Sequence, residues 1–222
     1  MKRGLALTAI LAMASAAVAA DKEVENLLAN MRTAYNSVKS ASLTVNMLLF
    51  TAPGQGITLN IKMEYVKSNR VRAELEATGG MSANVYCDGT TVTVIESRFN
   101  QRSVKKFSID SLNAAMPANL ETFNFWDWKR QLSTGVGGNM KDSQLKIVKK
   151  QNWNGKEWTV LEETAPDAGV FVQYYIDPKT HFIWRTVVKR LESGALFQDV
   201  RITRLELGAK IDPERFKAPD GS

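Results

Sequence analysis

The chain has 222 residues, with 29 Lys and Arg against 23 Asp and Glu, one His, one Cys and a formal charge of +6. That length suits one large domain or two small ones and supports a substantial core. A single Cys excludes an intramolecular disulfide, a single His leaves no second histidine for a metal site, and the Lys and Arg are too scattered for the basic patch of a nucleic-acid binder.

At the N-terminus, Lys2 and Arg3 precede an apolar stretch from Leu5 to Val18, and Ala17-Val18-Ala19 is a small-x-small site. This is the anatomy of a secretory signal peptide cleaved before Ala20. The apolar run is short for a membrane span, which needs about 20 residues. Residues 1–19 are therefore expected to be removed and the mature protein to work in the periplasm, with the formal charge reduced from +6 to +4 by the loss of Lys2 and Arg3. Cys87, alone in an oxidising compartment, reads as a buried apolar residue.

Val24, Leu27, Leu28, Met31 and Tyr35 recur at helical spacing, so residues 22–38 are expected to form an amphipathic helix. The period then changes to two. Leu43, Val45, Met47 and Leu49 alternate with polar residues, as do Ile57, Leu59, Ile61, Met63 and Tyr65. After the turn Lys67-Ser68-Asn69, Val71, Ala73, Leu75 and Ala77 alternate with charged residues. Such alternation gives strands with one buried and one wet face. Asp88-Gly89 predicts a two-residue hairpin between strands near 82–87 and 90–97, followed by a strand from about Arg102 to Phe107.

The pattern breaks between Asp110 and Gly138. Ser111 to Asn119 reads as a short helix stopped at Pro117, and Glu121 to Leu132, with the densest run of aromatics in the chain, as another. Strands resume at Lys146–Lys150 and Trp158–Glu162 across Asn154-Gly155, then at Val170–Ile176 and Phe182–Leu191 across Asp177-Pro178-Lys179-Thr180, and finally at Leu196–Leu207 after Ser193-Gly194. Asp212-Pro213 starts one helical turn, with Asp as N-cap and Pro at the first position, and Phe216 is expected to plug the sheet. The sum is an α+β domain, residues 20–222, with about eleven antiparallel strands in a strongly curved sheet or half-open barrel and helices covering its concave face.

No Gly-x-Ser-x-Gly nucleophile motif is present, and Gly135-Val136-Gly137-Gly138 lacks the Lys-Ser/Thr ending of a phosphate loop. The expectation is a non-enzyme without metal or cofactor. His181, after a turn signal, reads as structural.

The order of elements resembles the LolA/LolB-like outer-membrane lipoprotein carriers. The resemblance is carried by the 22–38 helix leading into Ser42-Leu43-Thr44-Val45, by the hairpin NVYCDGTTVTVIESRFNQ, and by the closing strands YYIDPKTHFIWRTVVKR and FQDVRITRLELGAKIDPERFKAPDGS, whose Ile211, Asp212, Phe216, Pro219 and Gly221 fit the family's ending. It implies a periplasmic carrier sheltering acyl chains of a lipid or lipoprotein between sheet and helical lid, with envelope membrane proteins as further partners and no nucleic acid. The carriers read Lys-Arg-Pro after the second strand, with that Arg helping to hold the lid. This chain reads Lys67-Ser68-Asn69, which points to a divergent relative with Arg70 and Arg72 as candidates for the same task. The candidate lipid floor is Leu43, Val45, Met47, Ile57, Leu59, Ile61 and Met63, and the candidate roof is Phe123, Phe125, Trp126 and Trp128. Two other readings fit the same pattern: a periplasmic sensor or regulatory domain binding a lipidated or peptide partner, and an envelope structural domain whose core is filled.

Overall fold

The computed structural model describes residues 22–52, 55–98, 101–117, 125 and 144–220. The expected signal peptide and three residues of the expected roof, Phe123, Trp126 and Trp128, lie outside them.

Helix α1 spans 22–37 and buries Val24, Leu27, Met31 and Tyr35, with Val38 just beyond its end, which is the face that the apolar spacing selects. Eleven antiparallel strands follow: β1 (Ser40–Ala52), β2 (Gln55–Val66), β3 (Arg70–Ala77), β4 (Met81–Asp88), β5 (Thr91–Glu96), β6 (Gln101–Lys106), β7 (Gln144–Trp153), β8 (Lys156–Ala165), β9 (Val170–Ile176), β10 (Ile183–Arg190) and β11 (Leu196–Leu207). Their order is β6-β5-β4-β3-β2-β1-β11-β10-β9-β8-β7, so every neighbour is a hairpin partner except β1 and β11, which close the chain's two halves together. The sheet stays open, with β6 and β7 as its edges. Helix α2 (Ile109–Ala115) carries a reciprocal cap in which Ser111 N–H donates to the Ser108 hydroxyl and Ser108 N–H to the Ser111 hydroxyl. Its end falls at Met116, extended before Pro117, because a residue preceding proline is driven out of the helical region.

The alternation read from the sequence becomes one apolar inner face. Leu43 stands opposite Met63, Val45 opposite Ile61, Met47 opposite Leu59 and Leu49 opposite Ile57. β3, β4 and β11 extend these rows with Ala73, Leu75, Val85, Val200 and Ile202, and these five join one apolar cluster with the buried face of α1.

The turns follow their chemistry. Asn154 and Gly155 both have positive φ, as a two-residue hairpin requires. The Asp88-Gly89 hairpin is longer than expected: its last cross-strand pair is Cys87 with Val92. The Asp88 carboxylate accepts from the N–H groups of Thr90 and Thr91 and organises the connection. Gly89 is held at φ +95°, and a Cβ there would stand 3.2 Å from the Ser68 carbonyl oxygen of the neighbouring turn. Cys87 is buried beside that contact and donates from Sγ to the Asn69 carbonyl at 2.9 Å. Burial pushes its thiol pKa up. At the C-terminus, Asp212 caps a 3-10 turn (Pro213–Phe216) that lies against β3 and β4 and buries Phe216.

Candidate functional site

The predicted floor divides in two. Leu43, Val45, Met47, Ile61 and Met63 are no more than 1% exposed. They belong to the cluster containing Val24, Leu27 and Met31, so packing with α1 takes up the inner face at this level. Leu59 and Ile57, further along β2 towards the β1–β2 hairpin, are only half-buried.

There the inner face opens into an apolar pocket of about 240 Å³ lined by Leu59, Leu75, Ala77, Met81 and Ala83, together with Glu96 and Arg98. The register explains the grouping: Leu59 pairs with Ala77 and Ala77 with Met81, while Leu75 pairs with Ala83 and Ala83 with Glu96. Small side chains at Ala77 and Ala83 leave the volume that a larger residue would fill. Met81, 40% exposed, presents apolar surface to solvent at the same place. Of the predicted floor residues, Leu59 alone lines this pocket. In the sequence, Leu75 and Ala77 belong to the buried face of an alternating strand and carry no sign of a site. Met81 and Ala83, beyond the Gly79-Gly80 turn, carried no signal of their own, since only cross-strand pairing puts them beside Leu59.

Phe125, from the expected roof, is buried at the other end of the inner face. It stacks on Tyr65 at 5.7 Å between ring centroids, lies 5.7 Å from Tyr35 and meets Phe182 edge-on at 6.1 Å. Tyr65 is six residues along β2 from Leu59, or about 20 Å at strand rise, so Phe125 does not roof the pocket. Tyr35 secures the cluster, its hydroxyl accepting from the N–H of Ile183. Burial raises the Tyr35 pKa well above the ordinary phenol value.

Arg70 and Arg72 project to the opposite, outer face, because Val71 and Ala73 take the inner positions of β3. Arg72 pairs with Glu64 at 3.5 Å and with Glu74, and stands 5.9 Å over the Tyr86 ring. Arg215 also reaches Glu64, at 2.8 Å. Arg72 and Arg215 thus share Glu64, which ties β3 to the C-terminal turn region on the outer face.

The outer face of the second half carries another aromatic cluster. Trp153, Trp158 and Trp184 come from β7, β8 and β10, with centroids 5.3 Å apart for Trp153–Trp158 and 6.2 Å for Trp158–Trp184. Together with Lys156 and Arg201 they line a cavity of about 480 Å³. Both cations are already paired: Lys156 with Asp177 at 2.7 Å, and Arg201 with Asp199 at 2.5 Å. Arg185 joins Asp199 at 2.7 Å and lies over the rings of Trp153 and Tyr175. Burial acts to raise the Asp199 pKa, but the hydrogen bonds and charges of Arg185 and Arg201 outweigh it and hold the carboxyl below the usual range. Three strands supply these tryptophans, so no stretch of sequence announced them.

Among the described residues no group of three His, Cys, Asp or Glu side chains is placed to hold a metal ion, and no helix is long and apolar enough to cross a membrane.

No protein-family model matches the sequence, and none of the curated proteins does. Among solved structures, MucB is 18% identical over 90% of this chain and 64% of its own, with a TM-score of 0.53. In the Pseudomonas aeruginosa MucA/MucB complex the match is 18% identical over 88% and 61%, with a TM-score of 0.50. A LolA superfamily protein from Nitrosomonas europaea is 12% identical over 86% of this chain and 97% of its own, with a TM-score of 0.37. The chain thus spans less than two thirds of the MucB chains it matches. Identities this low speak for fold alone. The fold is shared with MucB, and it is the open antiparallel sheet with helices that the alternation in the sequence predicts.

Proposed function

We propose that this protein is a periplasmic acyl-chain binder that shelters part of a lipid or lipoprotein chain at the rim of its inner face and gives it up again. The observation that carries this reading is the 240 Å³ apolar pocket between Leu59, Leu75, Ala77, Met81 and Ala83. It is smaller than the roughly 300–1,000 Å³ of most small-molecule sites, so it takes a segment of one chain. At about 0.8 kcal/mol per buried methylene, a segment of about eight gains roughly 6 kcal/mol, which suits reversible carriage. A sixteen-carbon chain wholly buried would gain roughly 12 kcal/mol by the same rule.

The reading includes removal of residues 1–19 on export, a single mature domain from 20 to 222, and no catalytic role. Envelope membrane proteins are the natural donors or acceptors of such cargo. A second reading, a domain engaging a lipidated or peptide partner, is favoured by one finding: MucB, which shares the fold, is solved in complex with MucA.

Native mass spectrometry of protein purified from the cell envelope tests the proposal. Co-purifying acylated species of discrete mass are expected. Protein that is ligand-free from the envelope and takes up no acyl probe in vitro removes it in favour of the partner-binding reading.

A further inference from the structure

We propose that Gln198 is the polar anchor of the acyl site and that it selects chains attached to an aminoacyl group over chains attached as simple esters. This rests on the acyl-binding reading above. Gln198 lies on β11, is fully buried, and neither its Nε2 nor its Oε1 has a hydrogen-bond partner. It occupies an inner-face position whose cross-strand neighbours are Leu49 on β1 and Val188 on β10. A buried carboxamide without partners is unfavourable, and an unsatisfied group of this kind marks a place where something else supplies the bonds. Folding alone would be served better by an apolar residue, as the neighbours on either side show.

The position connects to the pocket. Gln198, Leu49 and Ile57 form one cross-strand row, and Val200, Met47 and Leu59 form the next. With strands about 4.8 Å apart and a rise of about 3.4 Å per residue, the Gln198 carboxamide stands roughly 12 Å from the Leu59 side of the pocket. A chain seated in the pocket and extended along the inner face across Ile57 and Leu49 would bring its linking group to Gln198.

The chemistry narrows that group. A carboxamide offers a donor and an acceptor side by side. In an extended amino-acid residue the N–H and C=O project the same way, which is how antiparallel strands exchange paired bonds. An N-acylated residue in this conformation accepts from Nε2 with its carbonyl and donates to Oε1 with its N–H. An ester only accepts and leaves Oε1 unsatisfied. A free carboxylate only accepts and would also carry charge into an apolar face.

The test uses two probes with the same chain, N-decanoyl-alanine methylamide and methyl decanoate, titrated into the full mature protein. The parent is expected to bind the amide at least about tenfold more tightly, the size of effect that satisfying a buried polar group produces. Gln198→Met, close to Gln in length, is expected to abolish the preference, bringing the affinities of the two probes within about twofold of each other, and to raise the unfolding midpoint by removing an unpaired buried amide. Equal affinity of the parent for both probes, or a preference that survives in Gln198→Met, overturns the role of Gln198 and leaves acyl binding standing. A parent that binds neither probe removes acyl binding and the anchor together. Should Gln198→Met fail to fold, the ratio measured on the parent decides alone.

Discussion

Ala83→Leu is expected to block acyl binding without harming the fold. Ala83 sits in the wall of the rim pocket, half-buried, with Leu75 and Glu96 across the two neighbouring strands. A leucine there adds about three carbons to space that is now empty, so about three methylenes of a ligand lose their place. At about 0.8 kcal/mol each the loss is roughly 2.4 kcal/mol, or about fiftyfold in Kd. Because the added side chain fills a void and displaces no packed neighbour, stability should change by less than about 1 kcal/mol. Met47→Ala supplies the contrast. Met47 is fully buried in the cluster with α1, and its truncation should cost about 2–5 kcal/mol while leaving the pocket walls in place. Displacement of a fluorescent fatty acid gives the affinities, and urea unfolding gives the stabilities. An Ala83→Leu protein that binds acyl chains within twofold of the parent would refute the pocket as the site. A loss of more than about 3 kcal/mol in its stability would refute the premise that the space is empty.

Phe125→Ala should destabilise by about 3–5 kcal/mol, as large aromatic truncations do, because Phe125 joins Tyr35, Tyr65 and Phe182 in one cluster. Acyl affinity under native conditions should be unchanged, and a specific loss of binding with normal thermal stability would return this residue to the ligand's roof. Asp199→Asn should cost about 2 kcal/mol at neutral pH. That is below the 3–5 kcal/mol of a fully buried pair, since Arg201 is half-exposed and screened. Because the Asp199 carboxyl is held below its ordinary value of about 3.9, its contribution is present above that pH and is lost as pH falls through the lowered folded value. Unfolding midpoints measured from neutral pH into acid should therefore fall more steeply below about pH 4 in the parent than in Asp199→Asn, and parallel curves would show that the Asp199 carboxyl is not the titrating group.

The fold was legible because its signal is local. A period of two survives in any short window, so the rows Leu43–Met63 and Val45–Ile61 could be read from β1 and β2 separately and then found opposite each other. Turn chemistry at Asn154-Gly155 and Asp212-Pro213 is equally local. The alternation also marked Arg70 and Arg72 as facing away from the core, and the structure follows that periodicity. What the sequence hid depends on register. Ala77 beside Leu59, Ala83 beside Leu75 and Gln198 beside Leu49 are pairings between strands. Gln198 on its own is a polar residue in a closing strand, and it becomes informative only when its burial and its empty hydrogen-bonding capacity are known.

The split of the inner face into a packed level and an open rim bears directly on mechanism. Had the whole face been open, a ligand burying several chains would approach the practical affinity ceiling of about 18–21 kcal/mol, and release would be too slow for a carrier. Had it been filled throughout, the protein would be a scaffold. Packing α1 against Leu43, Val45, Met47, Ile61 and Met63 secures the fold independently of any ligand, and under the proposed function the small residues Ala77 and Ala83 would confine binding to a short apolar segment at the edge. Stability and affinity would then reside in different residues of the same sheet face, Met47 on β1 for one and Ala83 on β4 for the other. Substitutions at the two levels should therefore combine almost additively, because β1 and β4 lie three strands apart, about 14 Å at strand spacing. A double variant of Met47→Ala and Ala83→Leu is expected to show the stability loss of the first and the affinity loss of the second within about 0.5 kcal/mol in each measurement. Strong coupling between them would mean that ligand and α1 compete for one continuous space, which is the behaviour of a lid and not of a fixed core.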